Sequence, residues 1–165
     1  MPKEALANLR LVAFDIDGVF TDGRFYLSND GVESKAFHTH DGFGIRRLLD
    51  AGLDVAVISG RSSAAVEKRM SELGVRHIIQ GSTDKVAAFE SLAGELGINE
   101  KQAAFVGDDV PDLPLLRHVG FSVAVSNAHK EVKAECDYTT DNAGGFGAVR
   151  EVCDLIVSAR QANQG

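Results

Sequence analysis

Asp15 and Asp17 stand one residue apart, directly after the apolar run Leu11–Phe14. Such a run predicts a strand covered on both faces. A carboxylate at its buried end costs several kcal/mol unless something neutralises it. Either the pair already sits in solvent, or a cation or proton lies between the two. Similar punctuation recurs downstream. Ser59 and Gly60 close the run "LDVAVI", Asp108 and Asp109 close "AAFVG", and Lys85 stands near the start of a helix that follows "RHIIQG". Taken singly, each has a plainer reading: Asp108 and Asp109 as caps of a helix at Val110, Ser59 as a turn residue, Lys85 as a solvated lysine. Brought together, four acids, a hydroxyl and a lysine would be intolerable without a cation. Carboxylate oxygens with no Cys or His among them suit Mg2+. Ser59 and Lys85 supply the donor and positive charge that phosphoryl oxygens require. One carboxylate remains for attack and another for proton transfer, so displacement at phosphorus is the expected reaction.

The elements needed to gather these groups can be read from apolar period and turn chemistry. Arg24–Ser28 and Glu33–His38 read as two short strands, and Asn29, Asp30 and Gly31 make the turn of a β-hairpin. Asp41 can cap a helix carrying Ile45, Leu48 and Leu49. A helix capped by Ser62 or Ser63 follows the second strand, another runs from Thr83 to Leu96, and Asn99 with Gln102 has capping-box spacing. "VPDLPLLRHVG" reads as a short helix, "FSVAV" as a fifth strand, and Ala148–Ala159 as a last helix. Strand and helix alternate, which predicts an α/β fold: a Rossmann-like three-layer parallel sheet with helices on both faces and a hairpin inserted after the first strand. Functional groups in such sheets gather beyond the carboxyl ends of the strands, where these acids fall.

The 165 residues suffice for one domain (1–165) with a full core. The net charge of −7 argues against nucleic acid or an anionic membrane as partner, since both need a basic face. Cys136 and Cys153 lack CxxC spacing and read as two reduced thiols. No segment reads as a signal peptide or membrane span, so the cytoplasm is the expected location.

Asp15-Ile16-Asp17-Gly18-Val19, Ser59, Lys85 and Gly107-Asp108-Asp109-Val110-Pro111-Asp112 resemble, in order, the four signature motifs of the haloacid dehalogenase-like phosphohydrolases. The segments "DIDGVFTDG", "FHTHDGFGI", "VISGR", "GDDVPDLPLL", "SVAVSNAH" and "GGFGAVREVCDLI" narrow the resemblance to the 3-deoxy-D-manno-octulosonate 8-phosphate phosphatases of lipopolysaccharide precursor synthesis. This chain has His40 where the family pattern often carries Arg.

The resemblance implies that Asp15 attacks phosphorus and that Asp17 protonates the leaving oxygen, its protonated state favoured by negative neighbours. It implies Mg2+ held by Asp15, the Asp17 backbone carbonyl and Asp108. Asp109 is expected to act through water or to orient Lys85, with Asp112 behind the ligands. Asp17, Ser59, Gly60, Arg61 and Lys85 are expected to contact a phosphorylated sugar acid, with Arg69 a weaker candidate. Only about 40 residues separate Asp17 from Ser59, which leaves no room for a large cap domain. The resemblance therefore implies a homotetramer whose hairpins (about 24–38) associate so that neighbours cover each site. His38 and His40 share a strand face and read as residues of that contact rather than a metal pair. The tail (about 144–165) opens on "GGFG", which lacks dinucleotide-binding spacing and is either a flexible hinge or a mobile closing segment. A nine-carbon keto acid 9-phosphate is the rival substrate, and Gly60-Arg61 favours the eight-carbon one. A phospho-aspartate receiver domain fits less well, because no Asp ends "HIIQG".

Overall fold

The opening apolar run forms β1 (Leu11–Phe14), and none of its four side chains reaches solvent. Burial of Leu11 and Phe14 alone contributes roughly 1.5–3 kcal/mol each. A computed structural model describes residues 3–165. Residues 1 and 2, with which the predicted domain begins, lie outside the described residues. β1 is flanked by β4 (Asp54–Ile58) and β6 (Ala103–Gly107). β5 (His77–Ile79) extends the sheet beyond β4, while β7 (Phe121–Ala124) and β8 (Tyr138–Thr139) extend it beyond β6. The order is β5-β4-β1-β6-β7-β8, with every pair parallel.

Parallel neighbours need crossovers, and helices supply them. On one face α1 (Lys3–Ala7), α2 (Thr39–Asp50), α3 (Ala64–Leu73) and α7 (Ala148–Gln164) pack against one another; α4 (Lys85–Leu96) packs against α5 (Leu113–Leu116) on the other. α6 (Lys130–Glu135) links β7 to β8. The expected doubly covered parallel sheet is present, with one strand more than the sequence suggests. β8 escapes a sequence reading because two residues carry no period. α6 escapes it because its cap is His129, whose Nδ1 accepts from the Glu131 N–H.

Between β1 and α2 the chain holds only the hairpin, β2 (Tyr26–Leu27) with β3 (Glu33–Ser34). Its strands are shorter than expected because no third strand or core face extends the ladder. Tyr26 is 72% exposed and Leu27 65%.

Two further expectations are corrected at the start of α2. The N-cap is His38, whose Nδ1 accepts from the His40 N–H at 3.1 Å. His38 and His40 therefore do not alternate along a strand; their rings lie 4.7 Å apart across the helix start. Asp41 instead caps a different helix. Its Oδ1 accepts from the Arg150 N–H at 3.0 Å, in the first turn of α7, whose own N-cap Gly147 has no side chain to offer. Asp41 is buried with its Oδ2 unpartnered, and burial raises its pKa.

Candidate active site

Nine of the residues singled out in the sequence line one cavity of about 340 Å3 at the carboxyl ends of β1, β4 and β6: Asp15, Asp17, Ser59, Gly60, Arg61, Lys85, Asp108, Asp109 and Asp112. Another cavity, of about 360 Å3, lies between Arg46, Asp54 and His77 at the opposite end of β4 and gathers no comparable set.

Sheet pairing places the first acid. The Asp15 N–H donates to the Val106 carbonyl at 2.9 Å, continuing the β1–β6 ladder, and its Oδ1 accepts from the Ile16 N–H at 2.7 Å. Oxygens of Asp15, Asp108 and Asp112 come within 4.8 Å of one another. The crowding has an electrostatic consequence. Burial and then the Asp112 charge push the Asp15 carboxyl up to about 7 against the pull of Lys85. Burial, Asp15 and Asp112 push Asp108 up to about 8. Burial alone would depress Lys85, but Asp15 and Asp112 override it and hold its pKa above the ordinary value. Negative charge here exceeds what one lysine neutralises, and the donors are hard oxygens. The set fits a hard divalent cation.

The contact with Lys85 expected of Asp109 is made by Asp112. Lys85 Nζ lies 2.7 Å from Asp112 Oδ1 and 3.1 Å from Asp15 Oδ1, so Asp112, not Asp109, orients the lysine. Asp112 Oδ2 accepts from the backbone N–H groups of Asp108 at 3.0 Å and Asp109 at 3.4 Å. Asp109 turns outward and caps a 3-10 turn over Val110–Asp112, its Oδ1 accepting from the Val110 N–H. With both Asp112 oxygens engaged, Asp15 and Asp108 are the carboxylates free to face an ion. Gly18 makes room for one of them: at φ +87° its missing Cβ would sit 1.9 Å from Asp108 Oδ2.

Asp17 has surroundings opposite in sign to those expected. Lys35, on the hairpin with its side chain only 1% exposed, donates to Asp17 Oδ1 at 2.5 Å. Arg61 Nε lies 3.9 Å from the other oxygen. Arg61 also bonds Glu33 at 2.7 Å and lies over the Phe25 ring, 4.2 Å from its centroid. Its direct partners are positive, and Glu33 pairs with both of them. Lys35, Glu33 and Phe25 were missed in the sequence; the available signal was a lysine two residues before Phe37, on a ribbon directed back toward the first strand. Thr21 was missed as well. It is buried, and its Oγ1 accepts from the Gly18 and Gly23 N–H groups, fixing the loop after Asp17. Ser59 is buried behind Gly60, its N–H on the Ile79 carbonyl. Arg69 is directed elsewhere, toward Glu72 and into the space beside Gly42.

Comparison with known proteins decides the family. Haloacid dehalogenase-like hydrolases match over residues 74–152. The 3-deoxy-D-manno-octulosonate 8-phosphate phosphatase of Escherichia coli K12 is 47% identical over 153 residues, covering 93% of this chain and 81% of the relative. The solved phosphatase of that name from Yersinia pestis superposes with a TM-score of 0.95 at 44% identity, covering 99% of this chain and 88% of the other.

The chain belongs to the 3-deoxy-D-manno-octulosonate 8-phosphate phosphatase family.

Another of these octulosonate phosphatases, from Moraxella catarrhalis, was solved with a magnesium ion, a phosphate ion and a KDO molecule. It superposes with a TM-score of 0.94 at 42% identity, covering 98% of this chain and 93% of that one. Like this family as read from the sequence, the chain places its acids at strand ends and carries a small hairpin in place of a large cap. The "GGFG" turn, read from the sequence as a hinge or a closing segment, is hydrogen-bonded to its surroundings in this structure. The Gly144 N–H donates to Asn127 Oδ1 at 3.0 Å and the Gly145 N–H to the Val19 carbonyl at 3.1 Å. The turn is packed against the loop that follows Asp17.

Proposed function

We propose that this chain is a Mg2+-dependent phosphatase that hydrolyses 3-deoxy-D-manno-octulosonate 8-phosphate to the free sugar acid and phosphate. The observation that carries this reading is the carboxylate cluster of Asp15, Asp108 and Asp112, with Asp15 and Asp112 paired to one lysine, at the strand ends of a chain 47% identical to a phosphatase of that name.

Ser59 and Lys85 bind the phosphoryl oxygens, and Arg61 meets the anionic end of the sugar acid. An Asp15 oxygen attacks phosphorus, the bond to the sugar oxygen breaks, and Asp17 donates a proton to that oxygen. Water then attacks the aspartyl-phosphate and loses its proton to Asp17, releasing phosphate and restoring Asp15. A Mg2+ held by Asp15, Asp108 and the Asp17 backbone carbonyl supplies the positive charge that lets an anionic nucleophile approach an anionic phosphate. Lys35 must release Asp17, and Asp17 must take up a proton from solvent, as substrate enters, so the hairpin and the proton donor are coupled.

The assay is phosphate release from a panel of phosphorylated sugars and keto sugar acids, with and without Mg2+. Preference for the eight-carbon 8-phosphate, dependence on Mg2+ and a loss of roughly 10^4-fold or more in Asp15→Asn are expected. Higher turnover on a nine-carbon 9-phosphate would move the substrate assignment, and an active Asp15→Asn would remove the mechanism.

The whole chain is read as one catalytic unit that works as a homotetramer. Tyr26, Leu27 and Val32 are 72%, 65% and 63% exposed on a two-pair ribbon, which suits association with other hairpins. Sedimentation showing a fully active monomer would contradict this. Two free cysteines and no described helix long and apolar enough to cross a membrane support a cytoplasmic placement.

A further inference from the structure

The segments "SVAVSNAH" and "GGFG" have no part in the chemistry described above, yet they meet beneath it. Gly144 lies so close to the nucleophile loop that a Cβ there would sit 1.7 Å from the Gly18 carbonyl oxygen and 2.6 Å from its carbon. Gly18 in turn abuts the Asp108 carboxylate. Asn127 reaches across with its amide oxygen to the Gly144 N–H at 3.0 Å. Two residues further on, the His129 N–H donates to the Asp108 carbonyl at 2.8 Å. These contacts close a ring: Asp108, Gly18, Gly144, Asn127, His129 and back to Asp108.

We propose that Asn127 is a positioning residue for the metal-binding carboxylates: by holding Gly144 beneath Gly18 it fixes the separation between the loop after Asp17 and the Asp108 side chain. This rests on the Mg2+-phosphatase reading given above. The tail turn is rigid from its other side too. Glu151 in α7 accepts from the Asp141 N–H at 2.9 Å and the Asn142 N–H at 3.0 Å. The Thr140 hydroxyl donates to the Asn142 carbonyl at 2.6 Å, and Asp41 caps α7 just beyond the turn. The Gly145 N–H, on the Val19 carbonyl at 3.1 Å, ties the turn to the loop after Asp17, and the Asn127 amide is the side chain that holds Gly144 beside it. Groups behind ligands commonly set metal affinity by fixing ligand geometry.

The test is titration calorimetry of Mg2+ into the full-length protein, beside kcat and KM for the preferred phosphate ester and a thermal midpoint. Asn127→Ala is expected to raise the Mg2+ Kd about tenfold and lower kcat at limiting Mg2+, with excess Mg2+ recovering most of the loss. Asn127→Asp keeps an acceptor for the Gly144 N–H and is expected to restore the wild-type Kd to within about twofold, by the same geometric argument. Gly144→Ala, which must displace Gly18, is expected to weaken Mg2+ binding at least as much while retaining near-ultraviolet circular dichroism. An Asn127→Ala protein with a lowered thermal midpoint but an unchanged Kd and kcat would overturn the proposal, as would a fully unchanged variant. A wild-type protein that takes up no Mg2+ would instead remove the phosphatase reading, and the inference with it.

Discussion

Asp15, Asp108 and Asp112 hang from β1 and from the turn after β6, where the Asp15 N–H bonds the Val106 carbonyl and the Asp108 N–H bonds the Asp112 carboxylate. Lys35, Glu33 and Phe25 hang from a ribbon of two residue pairs with no core beneath it. The same cavity is thus floored by a rigid element and overhung by one with little stability of its own. Charge follows the division. The floor carries an excess of carboxyl groups that bound protons or a cation must neutralise. The hairpin and the Arg61 loop carry positive ones, which reverse the field locally in a protein of net charge −7. The steps that make and break bonds are assigned to the floor, and the choice of substrate to the overhang.

The sharpest way to break this contrast is to empty the floor of its resident cation. Lys85→Met leaves Asp112, whose side chain is 1% exposed, without its ion partner. Loss of one partner of a buried pair costs about 3–5 kcal/mol, so urea unfolding of the metal-free variant should show a midpoint well below wild type, with phosphate release falling in parallel. An unchanged midpoint would mean the floor is not under charge stress.

A second measurement reads that stress directly. Asp15 stands near 7 and Asp108 near 8 in the fold, both above the ordinary carboxylate value. An acid whose folded pKa is raised contributes stability that is complete below the unfolded pKa and is lost as pH rises through the folded one. Metal-free protein should therefore lose thermal stability as the pH rises from about 4 to about 8 and level off above that, and saturating Mg2+ should flatten the decline. A metal-free melting curve that does not change over this range would count against the assignment.

Substitutions in the overhang should leave folding alone. Leu27→Glu is expected to shift the sedimenting species toward monomer while changing the unfolding free energy of each subunit by less than about 0.5 kcal/mol. If it unfolded the chain, the hairpin would belong to the core after all. The smallest expected effect is at Phe25. Phe25→Leu removes the ring beneath the Arg61 guanidinium, a contact of about 0.5–1 kcal/mol at an exposed site, and should raise KM a few-fold without changing kcat.

What the sequence made legible follows from the same contrast. Asp15, Ser59 and Asp108 could be placed because each follows a buried run, and the carboxyl ends of parallel strands gather at one edge of the sheet. Asp109 and Asp112 were harder to separate. Both follow β6, and only the 3-10 turn through Pro111 decides that Asp112 faces Lys85 while Asp109 faces solvent. Lys35 was hard to read, since its spacing from Phe37 was the one signal and two residue pairs are too few for alternation to reveal which face a side chain takes. Asp41 looked like a cap of its own helix, since local spacing says nothing about a neighbouring helix start at Gly147 that lacks a cap. The hairpin's turn could be read, but its strand ends could not, because ladder length depends on what lies beside the ribbon.

The raised acids of the floor have a consequence for how the protein takes up its ion. Near neutral pH, Asp15 and Asp108 hold a shared store of protons, and an entering cation has to displace them. Loading is therefore an exchange with the solvent, and apparent affinity should rise with each step toward alkaline conditions. Heats measured in buffers of different ionisation enthalpy would report how many protons each ion displaces.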